Sequence, residues 1–179
     1  QFRSVDLISV NGWFYVTAGG FGLPCSIAEV ANRAKSSAFW GNILRTTFGR
    51  TLYLGAALYC ILGKHPRQNQ FSIRSKDALM RIDPLLLFIN NQSFLGGNFV
   101  VSPGARNDDG RFNVWLVPNS KSRFQILDLL LKVLDRKHLS DRSLVSWDGD
   151  DLMIETEEPV RSFGDGEVSL FDTRFHVRI

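Results

Sequence analysis

The sequence predicts an α+β fold: a β-rich antiparallel sandwich with about three helices. Three observations lead there. Apolar residues alternate with polar ones along short runs over most of the chain, Gly, Asn and Asp turns separate those runs, and helical periodicity is confined to three stretches. A length of 179 residues suits a single domain spanning 1–179 with a sizeable core.

The elements follow in order. Val5 to Val10 and Trp13 to Thr17 are β-rich runs joined by Asn11-Gly12, a pair suited to a two-residue type I′ hairpin turn. Gly19-Gly20-Phe21-Gly22 is expected to break the strand. A helix begins at about Pro24, with Ser26 and Glu29 at capping-box spacing, and runs to Lys35 or beyond. A second, more apolar helix is predicted between Gly41 and Leu62, where Leu44, Phe48, Leu52, Ala56 and Tyr59 recur at helical spacing. From Phe71 the period becomes two, and strands are expected at 71–75, 79–82, 85–90, 99–102 and 112–117. Ser122 and Gln125 form a capping box for a third helix, with Phe124, Leu127, Leu130, Leu131 and Leu134 as its apolar stripe. Leu144–Trp147, Leu152–Thr156, Val168–Phe171 and Thr173–Ile179 read as the closing strands.

Composition narrows the function classes. A net charge of +3 is too small to argue for nucleic acid, and Arg45, Arg50, Lys64, Arg67 and Arg74 are dispersed through apolar sequence rather than run together. A solvated face explains them best, with mild attraction to an anionic membrane as the minority reading. Cys25 and Cys60 lack metal or disulfide spacing and read as small core hydrophobes, which suits a reducing, cytoplasmic setting. The apolar stretch Leu52–Leu62 is far below the roughly 20 residues a spanning helix needs. The opening Gln1-Phe2-Arg3 has neither an initiating Met nor a signal-peptide pattern, so the chain is expected to begin part-way through a longer protein.

Neither a nucleophile elbow nor a P-loop is present, and His65, His138 and His176 read as structural or solvated. What stands out is acid beside glycine: Asp108-Asp109-Gly110, Asp148-Gly149-Asp150-Asp151 and Asp165-Gly166-Glu167. Hairpin turns are the plainer explanation, above all for the Asp148 cluster. The stretch from Asn91 to Gly110 is long and rich in Gly, Asn and Pro, as functional loops often are. A carboxylate there, among backbone carbonyls, can hold a hard cation, while Asp165 and Glu167 can aim at different partners from one turn.

The order of these motifs resembles the second domain of lipid kinases of the diacylglycerol kinase and sphingosine kinase family. Val5-Asp6-Leu7 is similar to its opening. Gly20-Phe21-Gly22 with Ile27-Ala28-Glu29-Val30-Ala31 is similar to its strand-to-helix segment. Phe88-Ile89-Asn90-Asn91, Gly96-Gly97, Ser102-Pro103-Gly104-Ala105-Arg106 and Asp108-Asp109-Gly110-Arg111-Phe112 resemble its central block, and Asp165-Gly166-Glu167 its late acidic turn. The matches run from Val5 to Glu167. Asn98 departs from the pattern, standing where many members have a third glycine.

The resemblance implies the C-terminal half of an ATP-dependent enzyme that phosphorylates a lipid hydroxyl, on diacylglycerol or a sphingoid-like lipid. It implies Asp165 and Glu167 as catalytic carboxylates. Asp109 would be a Mg²⁺ ligand, helped by the carbonyls of Arg106 and Arg111, and Gly96, Gly97 and Gly166 would lie on the nucleotide side. Phe39, Phe48, Leu52 and Leu58 would line the lipid site. ATP would be held mainly by an N-terminal nucleotide-binding domain with a Gly-Gly-Asp-Gly loop. No such loop occurs in this chain, which is therefore expected to be inactive alone. The implied partners are a lipid substrate, that N-terminal domain and a membrane touched peripherally, without nucleic acid; a homodimer is left open. The competing expectations are a non-catalytic β-sandwich that binds lipid or protein, and a kinase of a soluble alcohol.

Overall fold

The computed structural model describes residues 3–36, 49–63, 68–76, 78–95 and 99–179. Among the described residues, three α-helices, a short 3₁₀ helix (His138–Ser140), a large antiparallel sheet and a two-stranded one make up the regular structure, the α+β class expected from the sequence. The strands are β1 (Ile8–Val10), β2 (Trp13–Tyr15), β3 (Ala18–Gly22), β4 (Phe71–Arg74), β5 (Leu79–Ile82), β6 (Pro84–Asn90), β7 (Phe94–Leu95), β8 (Phe99–Val100), β9 (Phe112–Pro118), β10 (Val145–Gly149), β11 (Asp151–Gly164) and β12 (Glu167–Arg178). The helices are α1 (Leu23–Ser36), α2 (Gly49–Leu62) and α3 (Arg123–Leu134).

Ten strands form one continuous sheet in the order β10-β9-β6-β3-β11-β12-β1-β2, with β4 beside β11 and β5 beside β4. β11 binds the sheet together. Its first half pairs with β4, its last residues pair with β3, and β12 runs along its other side. Register shifts between Glu155 and Val160, and again between Arg161 and Phe163, mark bulges, which bend a strand and raise its twist. The sheet folds over one core: Phe21 of β3 meets Phe71 of β4 and Phe175 of β12, strands it does not pair with. Ile8, Val10, Leu87, Ile89, Val114 and Ile154 join the same cluster.

The strands β6 and β9 are apolar almost throughout because both their faces are covered. Leu87, Ile89, Val114 and Leu116 enter the core between the layers. On the other face, Leu85 and Val117 pack with Leu23 of α1, Ile61 of α2 and Ile126 and Leu129 of α3. The helices therefore cover the outer face of one half of the sheet.

Several expectations change. Gly19–Gly22 does not break the strand; it lies in β3, between β6 and β11. A Cβ on Gly20 would sit 1.9 Å from the Leu87 carbonyl oxygen, and one on Gly19 would sit 2.5 Å from that of Phe163. Glycine is there because neighbouring backbones leave no room for a side chain. Ser26 and Glu29 form no capping box, because α1 starts at Leu23 directly from β3 and Ser26 is already inside it. The Ser122–Gln125 capping box is present on α3, but the inward face of that helix is turned by a residue or two. Ile126 and Leu129 are buried, whereas Phe124 and Leu131 are 84% and 62% exposed. Asp148-Gly149-Asp150-Asp151 closes no hairpin, since β10 pairs with β9 and β11 pairs elsewhere. Of the closing strands expected, Leu144–Trp147 is found as β10, Leu152–Thr156 is the first part of the longer β11, and Val168–Phe171 and Thr173–Ile179 merge into β12. The predicted helix at 41–62 is seen over its later part, and residues 41–48 lie outside the described residues. So does His65.

Candidate functional site

Register alone brings the acidic turns together. Asp148 pairs with Asn113, Asn113 with Asn90, and Asn90 with Ala18; Gly164 pairs with Gly19, so the Asp165 amide donates to the Ala18 carbonyl at 2.9 Å. One edge of the sheet thus presents, strand by strand, the end of β10, the start of β9 beside Asp108–Gly110, the end of β6, the start of β3 and the Asp165 turn. At about 4.8 Å per strand, Asn113 and Asp165 lie roughly 14 Å apart along that edge.

Hydrogen bonds tie the two loops to each other. The Asp6 carboxylate accepts from the Gly110 amide at 2.8 Å, and the Asp6 amide donates to the Asn107 carbonyl at 2.7 Å. The buried Asn91 side-chain amide donates to the carbonyls of Asp6 and Val16, at 2.7 and 3.0 Å. The Val16 amide in turn donates to Asp165 Oδ2 at 2.9 Å, while Asp165 Oδ1 accepts from the Thr17 amide at 2.7 Å and the Thr17 hydroxyl at 2.6 Å. Three donors fix this carboxylate and still leave Oδ2 a lone pair. Burial, then the charge of Asp165, keep the phenol of Tyr15 well above its ordinary range, so it stays neutral and donates to the Ile89 carbonyl at 3.2 Å.

The Asp165-Gly166 pair is a turn as well as a site. Its φ values of 51° and 86° are the left-handed pair that a two-residue hairpin needs. The turn also lies at one end of a cavity of about 480 Å³ between the helices and the sheet. Its walls are apolar, with Ile27, Leu54, Ile61, Phe88, Ile126 and Leu130 among them, and Phe163 sets its ring against Phe88 at 6.0 Å. Thr17, Tyr53, Asp165 and Gly166 form the polar end. Asn32 of α1 donates to the Gly166 carbonyl at 2.8 Å, and Lys35 of α1 donates to the Tyr53 hydroxyl of α2 at 3.0 Å.

The other sequence-predicted residues divide as follows. Glu167 is exposed beside the turn, 3.5 Å from Asn32 Nδ2. In the loop before β9, Arg3 and then Arg106 hold the Asp108 carboxyl below its usual range. Asp109 Oδ1 accepts from the Arg111 amide at 3.1 Å and Oδ2 has no hydrogen-bond partner among the described residues. Carboxylate and backbone carbonyl oxygens are hard donors, the kind a Mg²⁺ ion takes. Among the described residues no group of three or more His, Cys, Asp or Glu could hold a metal. Leu52 and the 38%-exposed Leu58 are not part of the cavity wall; α2 contributes Tyr53, Leu54, Ala57 and Ile61 instead. Gly96, Gly97, Phe39 and Phe48 lie outside the described residues. Sequence reasoning missed Thr17, Asn32, Lys35 and Tyr53. No local pattern marks them, whereas Asn91 lay within a motif that had been singled out.

Residues 29–172 match the family described as the YegS C-terminal NAD kinase beta sandwich-like domain. The chain belongs to this family. Among curated relatives of the YegS family, two proteins named "Probable lipid kinase YegS-like", from Pseudomonas aeruginosa strains UCBPP-PA14 and PAO1, are each 30% identical over 131 residues. Those matches cover 72% of this chain and 39% of each relative, so the chain spans about two fifths of their length. A solved structure named as a "putative diacylglycerol kinase" from Bacillus anthracis str. Sterne has the same fold, with a TM-score of 0.68 at 20% identity. It covers 98% of this YegS-family chain and 53% of the solved one.

Proposed function

We propose that this chain is the acceptor-binding half of an ATP-dependent lipid kinase. The observation that carries the reading is an apolar cavity of about 480 Å³ that ends at the anchored Asp165 carboxylate. An alkyl chain suits such walls, because each methylene moved from water contributes about 0.8 kcal/mol. Its hydroxyl would then lie at the polar end. Leu54, Ala57 and Ile61 take the lining role first assigned to Leu52 and Leu58.

In the reaction the acceptor oxygen attacks the γ-phosphorus, the bond from that phosphorus to the β–γ bridging oxygen breaks, and ADP leaves. The hydroxyl proton passes to Asp165 Oδ2, and Glu167 supports the charge at the same turn. Asp109, with the carbonyls of Arg106 and Arg111, is the proposed Mg²⁺ holder; the ion supplies charge neutralisation beside the phosphates. Gly96, Gly97 and Gly166 would let backbone approach the nucleotide. ATP itself needs the phosphate cradle of an N-terminal domain, and the 179-residue chain is expected to be inactive alone. Among the described residues no helix is long and apolar enough to cross a membrane. Membrane contact at the surface is part of the proposal.

The test is phosphate transfer from ATP to a micellar lipid by the full-length protein. Asp165→Asn is expected to lower turnover by about 10²-fold or more with some loss of melting temperature, because an amide nitrogen cannot accept from Val16 or Thr17, and Glu167→Gln to lower turnover with an unchanged melting temperature. Full activity in both variants removes the turn from the site. Faster transfer to a soluble alcohol than to lipid replaces the lipid reading.

A further inference from the structure

We propose that Thr17 is a positioning residue, whose hydroxyl decides which oxygen of Asp165 receives the acceptor's proton. The inference rests on the lipid-kinase reading and goes beyond it, to a residue that acts on the reaction through the base. A carboxylate has two equivalent oxygens, each able to accept about two hydrogen bonds. Around Asp165 they become unequal. The Val16 amide donates to Oδ2 at 2.9 Å and the Thr17 amide to Oδ1 at 2.7 Å, one backbone donor each. The Thr17 hydroxyl then adds a second donor, at 2.6 Å, to Oδ1 alone. Oδ1 is filled by these two bonds, and the open position is left on Oδ2.

The hydroxyl is itself held in place. Threonine is stiff at χ1 because two heavy atoms branch from its Cβ. The backbone that carries it is gripped from the other side. The Asn91 amide donates to the Thr17 carbonyl at 2.8 Å, and Asn91 Nδ2 donates to the Val16 carbonyl at 3.0 Å. Asn91 is fully buried. Residues 16 and 17 thus form a clamp, fixed through their carbonyls by Asn91 and fixing Asp165 through their donors. Among the described residues the Thr17 hydroxyl is the one side-chain donor in that clamp, so it alone can be removed without altering backbone. Thr17 and Asp165 both line the polar end of the cavity, where the acceptor hydroxyl is proposed to lie. A hydroxyl that merely braced the hairpin would add stability; one that orients the base sets the rate of the step Asp165 performs.

The experiment uses the full-length protein with detergent micelles carrying dioleoylglycerol, well below the melting temperature of every variant. Phosphate transfer and equilibrium binding of a fluorescent dioleoylglycerol are both followed. Thr17→Val keeps the branched shape and loses the hydroxyl. It should lower kcat about tenfold and leave Kd within about twofold, because the apolar walls that hold the lipid are unchanged. Thr17→Ser, which restores the donor, should keep kcat within about threefold of wild type. In an Asp165→Ala background Thr17→Val should lower the residual rate no further, since residues that act as a unit are not additive. An unchanged or raised kcat in Thr17→Val overturns the inference, as does an equal loss in Thr17→Ser or a Kd that weakens in step with kcat. The same tenfold loss on top of Asp165→Ala overturns it too. If Asp165→Ala leaves no measurable rate, the contrast between Val and Ser decides alone. In each of these cases wild type still phosphorylates lipid and the kinase reading survives. A wild type that neither binds nor phosphorylates the lipid overturns both.

Discussion

Replacing Gly20 with alanine is expected to be among the most costly single-methyl additions in this protein. Gly20 has φ of +145°, a conformation that costs an L-residue about 1–3 kcal/mol. Its Cβ would also lie 1.9 Å from the Leu87 oxygen, 3.0 Å from the Leu87 carbonyl carbon and 3.1 Å from Phe88 Cα. All three are backbone atoms of β6, which is held by β9 on its other side, so none can rotate away. Forcing β3 and β6 apart adds about 1–3 kcal/mol of overpacking cost, for a total of about 4 kcal/mol. Gly104→Ala is the control, because φ is +94° there and nothing lies within 4 Å of the added methyl, leaving backbone strain alone at about 1–2 kcal/mol. Urea unfolding followed by tryptophan fluorescence measures both. With a slope of about 2 kcal/mol per molar, the gap between the variants should be about 1 M in midpoint. Equal midpoints would refute the close approach of β3 to β6, and with it the geometry that brings Thr17 to Asp165.

Two further outcomes are expected. Ala57→Phe places a ring in the cavity from α2, where Ala57 is buried and lines the wall. In the full-length protein it should raise the lipid KM at least about tenfold with little change in melting temperature, and an unchanged KM would place the lipid elsewhere. Asp141 is buried and accepts from the Ser143 hydroxyl at 2.6 Å, with Lys132 and Lys121 at 3.1 and 3.3 Å. The Ser143 hydrogen bond, chiefly, and the two lysines hold its carboxyl well below the usual carboxylate range. A lowered native value means the unfolded chain takes up the proton first. The resulting stability is therefore complete above about pH 5 and is lost as pH falls below about 4. Asp141→Asn should cost on the order of 2–3 kcal/mol at pH 7, and its deficit relative to wild type should shrink toward pH 3.5; a deficit independent of pH would contradict this role.

Much of the fold was legible because its signals are local. Asn11-Gly12 takes the left-handed pair of φ values its residue types suggest, 49° and 84°, and the Ser122–Gln125 box caps α3. The errors share one cause. Gly19–Gly22 reads as a break because glycine weakens an isolated strand, yet here its missing side chains admit β6 and β11. The α3 stripe was misread because leucines occur all round that helix, and only the position of the sheet decides which of them is buried.

The sequence by itself determined the fold class, the hairpin turns, the third helix and the family, since short-range conformational preferences and motif order are written along the chain. Only the tertiary structure decided that Asp109 and Asp165, 56 positions apart (165 minus 109), lie near one sheet edge joined through Asp6, Asn91 and Val16. It alone brought Tyr53 of α2 to the cavity wall beside Gly166. Strand register and the seating of helices on a sheet are set by contacts between distant segments, and no local run of residues encodes those contacts.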